Sequence, residues 1–185
     1  MFPLVFLDIE TTHLDPEIGE IIELCVIRDV GNKTTVFHTK IKPRHINTAD
    51  RKALEINGYN EEDWKDAKHF EEIAEHLLYL VDHGIIIGHN VNFDITWINT
   101  QLHKHGFDRG CSYYKIDTQT LAWEHLPLPS VSMRVIRLFF GWSLKDSHTA
   151  HKDTMDCRKL YYKLRRATML HRLWWRLKFK YFWTY

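Results

Sequence analysis

The chain has 185 residues, of which 44% are hydrophobic and 14% aromatic, so it can form one domain with its own core. Disorder of the whole chain is thereby excluded. The three cysteines, Cys25, Cys111 and Cys157, contain no C-x-x-C pair, so we expect neither a disulfide framework nor a zinc finger. Since we find no secretory signal and no run of 18 apolar residues, we expect reduced thiols and a cytoplasmic location.

The net charge of +1 hides an asymmetry along the chain. All 24 acidic residues and 16 of the 25 basic ones lie in residues 1–157, which therefore carry a net charge of −8. Residues 158–185 contain nine Lys or Arg and no Asp or Glu. We predict a domain over residues 1–168 and a basic, aromatic tail over residues 169–185, and such a tail favours contact with a polyanion, an acidic partner or a membrane surface.

Apolar runs and turn signals predict an α/β fold. Residues 2–7 form a short apolar run that ends at an acid, which is typical of a buried strand. Strands over 21–30 and 35–41 would flank a Gly31-Asn32 turn and complete a three-stranded antiparallel meander. A helix is predicted over 48–56, with a Thr48 cap and with Asn57-Gly58 as its stop. Further helices are predicted over 69–81, 91–105, 118–125, 131–140 and from 149 onward, with strands over 84–88 and 113–117. This order predicts a mixed central sheet, with parallel strands beside the meander, flanked by helices.

Four acids lie at the ends of predicted elements. Asp8 and Glu10 follow the first strand, Asp94 follows the strand at 84–88, and Asp153 lies early in the last long helix. In an extended segment, Asp-x-Glu places both carboxylates on the same face of the strand. Oxygen ligands without thiolates favour Mg²⁺ or Mn²⁺, and two such ions would form a site for phosphoryl transfer.

Taken in order, these motifs resemble those of the DEDDh, or DnaQ-like, 3′–5′ exonucleases. The first motif, D-x-E-T-T, corresponds to residues 8–12, and GHNVNFD supplies Asp94 as the second. The third, H-x-A-x-x-D, runs from His148 to Asp153 and indicates the histidine branch of the family. KPRHINTADRKALEINGY at 42–59 and KIDTQTLA at 115–122 are similar to the family's substrate loop and to the segment before its third motif.

The resemblance implies a ribonuclease H-like fold and a metal-dependent 3′–5′ exonuclease that releases 5′-mononucleotides. Asp8, Glu10, Asp94 and Asp153 would hold two Mg²⁺ or Mn²⁺ ions, and His148 would be the general base. His151 is the other histidine within reach, but the spacing to Asp153 favours His148. The terminal nucleotide would be held by Thr11, Thr12, Ile56, Asn57, Asn90 and Phe93.

Two of these substrate residues have a structural alternative. Phe93 is equally suited to core packing, and Asn90 to capping the following helix. His13, Asn57 and Thr154 depart from the usual family pattern. These departures affect the shape of the expected nucleotide pocket and leave the metal ligands and the base intact.

The substrate and the partners stay open at this stage. Single-stranded or frayed 3′ ends are expected, with DNA favoured; the alternative is a 3′–5′ exoribonuclease that acts on short RNA or RNA 3′ tails. A non-catalytic module that binds nucleic acid or a protein partner is the rival from another class, and the intact set of four acids and His148 argues against it.

The tail has two interpretations as well. Residues 158–185, which include the tail, contain nine aromatic residues among their basic side chains. The residues up to about 168 suit a continuation of the last helix onto the core. Beyond residue 170, nucleic acid, a protein partner or a second copy of the chain, and a membrane interface are the three candidates.

Overall fold

The computed structural model describes residues 2–145 and 147–182. The strands are β1 (Leu4–Thr11), β2 (Ile21–Val30), β3 (Lys33–Lys40), β4 (Ile85–Gly88) and β5 (Lys115–Asp117). The α-helices are α1 (Arg51–Asn57), α2 (Glu61–Trp64), α3 (Phe70–Val81), α4 (Val91–Lys104), α5 (Thr118–His125), α6 (Met133–Phe140), α7 (Ala150–Arg165) and α8 (Met169–Phe182). A short 3₁₀ helix, Ile46–Thr48, precedes α1. The predicted α/β class is confirmed.

The five strands form one mixed sheet in the order β3-β2-β1-β4-β5. β1 pairs antiparallel with β2 and parallel with β4, and β5 continues the parallel half. The predicted meander is confirmed, and Gly31 takes a left-handed φ of +59° in the turn between β2 and β3. β1 therefore lies in the middle of the sheet, where both of its faces are covered.

The alternation of side chains along β1 decides which way its acids point. Val5, Leu7 and Ile9 pack into the core formed with α3 and α4 on one face of the sheet. Phe6 points to the opposite face and packs against residues of β2 and α7. Asp8 lies two residues after Phe6 and therefore shares its face. The sequence period of two thus directs the acids of β1 towards α7.

The N-terminus of α1 differs from the prediction. Asp50, not Thr48, is the N-cap, and its carboxylate accepts a hydrogen bond from the Lys52 backbone N–H at 2.7 Å. The Thr48 hydroxyl instead donates to the His45 carbonyl within the 3₁₀ helix. The Thr48 cap was therefore wrong, because residues 46–48 form a separate turn. Gly58, with φ of +64°, ends α1 as the sequence predicts.

The segment predicted as a tail forms helix α8 over its described residues. Trp175 of α8 is only 2% exposed and lies in a cluster with Phe139 of α6 and Leu164 of α7. The predicted continuation of the last helix onto the core is seen up to Arg165. Trp183, the last tryptophan of the predicted tail, lies outside the described residues. Among the described helices, none combines the length and apolarity that a membrane crossing requires.

Candidate active site

Three carboxylates from two elements meet beside the end of β1. Asp8 and Glu10 of β1 and Asp153 of α7 each offer an oxygen atom, and these atoms lie within 4.8 Å of one another. They meet because α7 crosses the face of the sheet to which Asp8 and Glu10 point, with Asp153 in its first turn. The structure thus brings together three of the four acids predicted as metal ligands.

Burial and mutual repulsion raise the pKa values of the two carboxylates of β1. Burial, followed by the charges of the neighbouring carboxylates led by Asp94, raises the pKa of Asp8 well above its ordinary value. Burial and the charge of Asp153 raise the pKa of Glu10 to about 8. The clustered carboxylates therefore repel one another, because the positive charge around them is too small to offset their own. A bound cation would relieve this repulsion.

Asp94 joins the cluster from the other face of the sheet. It lies in the first turn of α4 and is 3% exposed. Burial raises its pKa to about 8, even though hydrogen bonds from backbone N–H groups, including that of Ile9 in β1, oppose the rise. Its charge acts on Asp8, so the fourth predicted ligand lies near the three clustered carboxylates.

A buried arginine that the sequence analysis missed contacts the site. Arg137 of α6 is 2% exposed, and its guanidinium donates hydrogen bonds to Asp153, to Asp156 at 2.7 Å and to the Ser147 hydroxyl at 2.9 Å. Asp156 also pairs with Lys152 at 2.6 Å. Arg137 thereby fixes the carboxylate of Asp153. The one sequence signal for it is a charged residue between the apolar residues of α6.

The two candidate histidines lie in different cavities. His148 lines a cavity of about 390 Å³ with Arg137 and Asp153. Its backbone is left-handed, with φ of +65°, a conformation that costs a non-glycine residue on the order of 1–3 kcal/mol. His151 lines a separate cavity, and its ring lies 5.2 Å from that of His38. His148 thus shares its cavity with a predicted metal ligand, Asp153, whereas His151 shares its cavity with Glu23 of β2.

A cavity of about 330 Å³ lies beside the carboxylates and receives four of the six predicted substrate residues. Thr11, Ile56, Asn57 and Phe93 line it, and the Asn57 side chain donates to the Thr11 carbonyl at 2.8 Å. Ile56 is 49% exposed although it is apolar, so its side chain is available at the rim. Phe93 also packs against the core and lies 6.0 Å from Trp97, so both of its predicted roles are compatible with its position.

The other two predicted substrate residues lie elsewhere. The Thr12 hydroxyl accepts a hydrogen bond from the Glu20 backbone N–H at 2.9 Å, and its side chain is buried. Asn90 is the N-cap of α4 with φ of +77°, but its side chain forms no capping hydrogen bond. Neither is among the described residues that line the nucleotide-sized cavity. Thr12 therefore holds the backbone around the site, whereas Asn90 is held there by its own backbone N–H, which donates to the Asp117 carboxylate at 3.1 Å.

Several lining residues were missed by the sequence analysis. Leu14, Asp50, Lys52 and Ala53 also line this cavity, contributed by the loop after β1 and by α1 with its N-cap. His13, expected from the sequence to affect the shape of the pocket, lines it as well. Leu14 lies two residues after the D-x-E-T-T motif and is 79% exposed although it is apolar. Thr154, which departs from the family pattern, is buried and donates a hydrogen bond to the Ala150 carbonyl at 2.7 Å.

Glu23 of β2 is a fifth acid beside the cluster. It is the Cα partner of Glu10 in the antiparallel pairing and is 4% exposed. Its carboxylate is hydrogen-bonded to His38 Nε2 at 2.7 Å, and its charge contributes to the raised pKa of both Asp8 and Glu10. Only strand register brings Glu23 here, so no local pattern identifies it.

Known proteins resemble this chain over the same segment that builds the site. The RNase T exonuclease family matches residues 5–161. The PolC-type DNA polymerase III of Thermotoga maritima is 38% identical over 132 residues, which cover 70% of this chain and 9% of that protein. The DNA polymerase III epsilon subunit of Buchnera aphidicola subsp. Baizongia pistaciae is 30% identical over 169 residues, which cover 85% of this chain and 68% of that protein.

The fold has close counterparts among solved structures. The E. coli exonuclease I–single-stranded DNA complex superimposes with a TM-score of 0.74 at 19% identity, over 94% of this chain and 42% of that chain. The chain thus spans less than half of that enzyme and about a tenth of the PolC-type polymerase. Since the RNase T match covers most of the chain and includes every predicted ligand, this chain belongs to the DEDDh exonucleases of the ribonuclease H-like superfamily.

Proposed function

We propose that this protein is a metal-dependent 3′–5′ exonuclease that releases 5′-mononucleotides from single-stranded or frayed 3′ ends, with DNA as its main substrate. One observation carries the proposal: Asp94 is buried, the carboxylates of Asp8 and Glu10 lie half-buried beside it, and the pKa values of all three are raised. Such a cluster lowers the free energy of unfolding, so folding alone does not explain it. Acids with perturbed pKa values in a cleft are typical of catalytic sites.

The donor set suits hard divalent cations. Asp8, Glu10, Asp94 and Asp153 offer carboxylate oxygens without a thiolate, which favours Mg²⁺ or Mn²⁺ over zinc. Two ions bound by these four residues would supply an activated water and charge stabilisation for the leaving 3′ oxygen. The ligand set is pre-arranged, because Asp153 is fixed by Arg137 and Asp94 by the backbone of β1.

The protein's own residues divide the remaining work. His148 takes the proton of the attacking water, since imidazole accepts protons near neutral pH and His148 shares a cavity with Asp153. The terminal nucleotide lies in the cavity lined by Thr11, Asn57 and Phe93. Ile56 at the rim packs against the terminal base.

The relatives favour DNA over RNA. Two of them are named as DNA polymerase III proteins, and the structural counterpart was solved with single-stranded DNA. An exoribonuclease acting on short RNA or RNA 3′ tails is the alternative, because the same carboxylates serve either sugar. We also propose an intracellular, reducing location, supported by three free thiols, of which burial raises the pKa of Cys25 to about 11.

Strand-specific labelling tests this function. The protein is incubated with single-stranded DNA and RNA of matched sequence, labelled at either end, with Mg²⁺, with Mn²⁺ and with chelator. We expect metal-dependent release of mononucleotides from the 3′ end, faster on DNA, and none from Asp153→Asn. Faster release from RNA would support the exoribonuclease. Binding of both strands without cleavage would instead indicate a non-catalytic module.

A further inference from the structure

We propose that a cavity between α7 and α8 binds the sugar-phosphate backbone of single-stranded nucleic acid, upstream of the 3′ end that enters the active site. This inference rests on the proposed exonuclease function. The cavity has a volume of about 450 Å³. It is lined by Lys159, Tyr162, Lys163, Arg166, Ala167, His171, Trp174 and Trp175. We call it the α7–α8 cavity.

The cavity holds positive charge that the protein itself does not neutralise. Within the described chain, Lys159, Lys163 and Arg166 form no salt bridge, and none of the described lining residues is acidic. Lys159 Nζ lies 4.2 Å from the ring centroid of Trp142, and Lys163 Nζ lies 4.8 Å from that of Phe140. These rings orient the ammonium groups without removing their charge.

A neighbouring arginine on the same helix shows the contrast. Arg158 is paired with the carboxylate of Asp29 at 2.8 Å. No acid in the sequence follows Asp156, and Asp156, three residues before Lys159, is paired with Arg137 and Lys152. Concentrated positive charge without internal counter-ions attracts a polyanion such as a nucleic-acid backbone.

The cavity also offers an aromatic surface. Trp174 is 57% exposed, whereas the adjacent Trp175 is 2% exposed and anchors α8 to the core. The exposed indole lies among the cations that line the same cavity. Basic groups that contact phosphates and an exposed aromatic ring that stacks on a base are the combination typical of sequence-independent single-strand binding. This favours a single strand over an acidic protein.

The position of the cavity relative to the active site fits a bound strand. Asp153 lies in the first turn of α7, and at 1.5 Å per residue Lys159 is about 9 Å and Arg166 about 20 Å further along the helix axis. At about 3.4 Å per stacked nucleotide, these distances correspond to about three to six nucleotides. α6 connects the two places, because Arg137 contacts Asp153 and Phe140 contacts Lys163.

Charge reversal in the cavity tests the proposal. The double variant Lys159→Glu/Lys163→Glu is compared with Lys33→Glu/Lys68→Glu, which changes the charge equally at exposed lysines outside the cavity. Binding of labelled oligothymidylate of about 20 nucleotides is measured in chelator between about 50 and 200 mM salt. We expect the cavity variant to bind about tenfold more weakly, with a slope of log K against log salt that is smaller by about 1.4.

Three further measurements sharpen the result. Trp174→Ala should weaken binding about tenfold and leave the salt slope unchanged, because stacking does not displace counter-ions. Hydrolysis of a dinucleotide with Mg²⁺ should be equal in the wild type and the cavity variant, since a dinucleotide does not extend to the cavity. Thermal unfolding checks that every variant is folded.

The outcomes separate the cavity from the active site. Unchanged oligonucleotide binding by the cavity variant overturns the inference, and so does an equal loss in the control variant. A change in oligomeric state without a change in binding would assign the cavity to a second copy of the chain and also overturn it. If the wild type fails to hydrolyse the oligothymidylate with Mg²⁺ while the cavity variant still loses affinity, the exonuclease proposal fails, and the cavity remains a single-strand site without its upstream role.

Discussion

Carboxylates lie at both ends of strand β1, but hydrogen-bond donors surround the one at its start and other acids surround those at its end. At its start, Asp29 of β2 is 7% exposed and accepts hydrogen bonds from Arg158, Thr34 and Tyr162. Burial alone would raise the pKa of Asp29, but these donors lower it below its ordinary value. At the other end, burial and neighbouring carboxylates raise the pKa values of Asp8 and Glu10.

The opposite pKa shifts distinguish a carboxylate that stabilises the fold, Asp29, from the two that we propose as metal ligands, Asp8 and Glu10. Asp29 is buried together with the donors that satisfy it, so it stabilises the fold by itself. Asp8 and Glu10 are half-buried beside other acids, and folding alone does not favour that arrangement. Because Asp29 is paired with Arg158 whereas Asp8 and Glu10 lie beside other acids, we propose that Asp8 and Glu10 serve a bound cation.

Substituting one carboxylate at each end of β1 should give the largest difference, with turnover lost at one end and stability lost at the other. We expect Asp8→Asn to lower exonuclease turnover on the order of 10⁴-fold, because it removes a metal ligand, without lowering stability in chelator. Asp29→Asn should leave turnover unchanged and destabilise the fold by about 1–3 kcal/mol, because Arg158 loses its charged partner. Nuclease assays and urea unfolding measure the two effects. Loss of turnover in Asp29→Asn would contradict the division.

Substituting each of the two candidate histidines should show which of them acts as the general base. His148→Ala should lower turnover by about 10²–10⁴-fold, because the attacking water loses its general base. Binding of Mn²⁺, followed by calorimetry, should be retained, since His148 is not a proposed ligand. His151→Ala serves as the matched control and should stay within about twofold of the wild type. Equal losses in both variants would remove His148 from its proposed role.

Arg137 connects a functional carboxylate to a structural one. Arg137→Met should destabilise the metal-free protein by about 3–5 kcal/mol, because half-buried Asp153 loses this cation and buried Asp156 retains Lys152 but loses Arg137. Mg²⁺ should restore part of this stability, since bound ions neutralise the same carboxylate. Denaturant unfolding with and without Mg²⁺ measures both, with Arg134→Met as the control on the exposed side of α6. An unfolding free energy equal to that of the wild type would contradict this role.

The pH dependence of stability should differ between the two ends. The pKa values of Glu10 and Asp94 rise from ordinary values of 4.5 and 3.8 to about 8, so between these limits the folded metal-free protein binds protons more tightly than the unfolded chain. Stability should therefore fall as pH rises through this window, by about 1.4 kcal/mol per pH unit for each carboxyl that titrates.

Asp29 should act in the opposite sense. Because its pKa is lowered, the stability it contributes is present at neutral pH and is lost on acidification below its ordinary value of 3.8. Thermal unfolding in chelator from acid to about pH 8 should show both trends, and Asp29→Asn should remove only the acidic one. A profile that is flat between about pH 5 and 8 would contradict the raised values at the active site.

The sequence by itself determined the strands, most helices and the candidate ligands. The two-residue spacing of Asp8 and Glu10 placed both on one face of β1, because side-chain alternation is a local property of extended backbone. Gly31 and Gly58 marked a turn and a helix end for a similarly local reason, namely their left-handed φ angles. The role of His148 stays a prediction from its motif.

Only the tertiary structure decided which charges accompany those acids. Arg137 and Asp153 are 16 residues apart, and Arg158 and Asp29 are 129 residues apart. Strand register brings Glu23 beside Glu10. Such neighbours depend on how whole elements pack, and side chains distant in sequence leave no periodic signal in the chain. The physical distinction between a stabilising carboxylate and one left free to bind a cation therefore arose from packing.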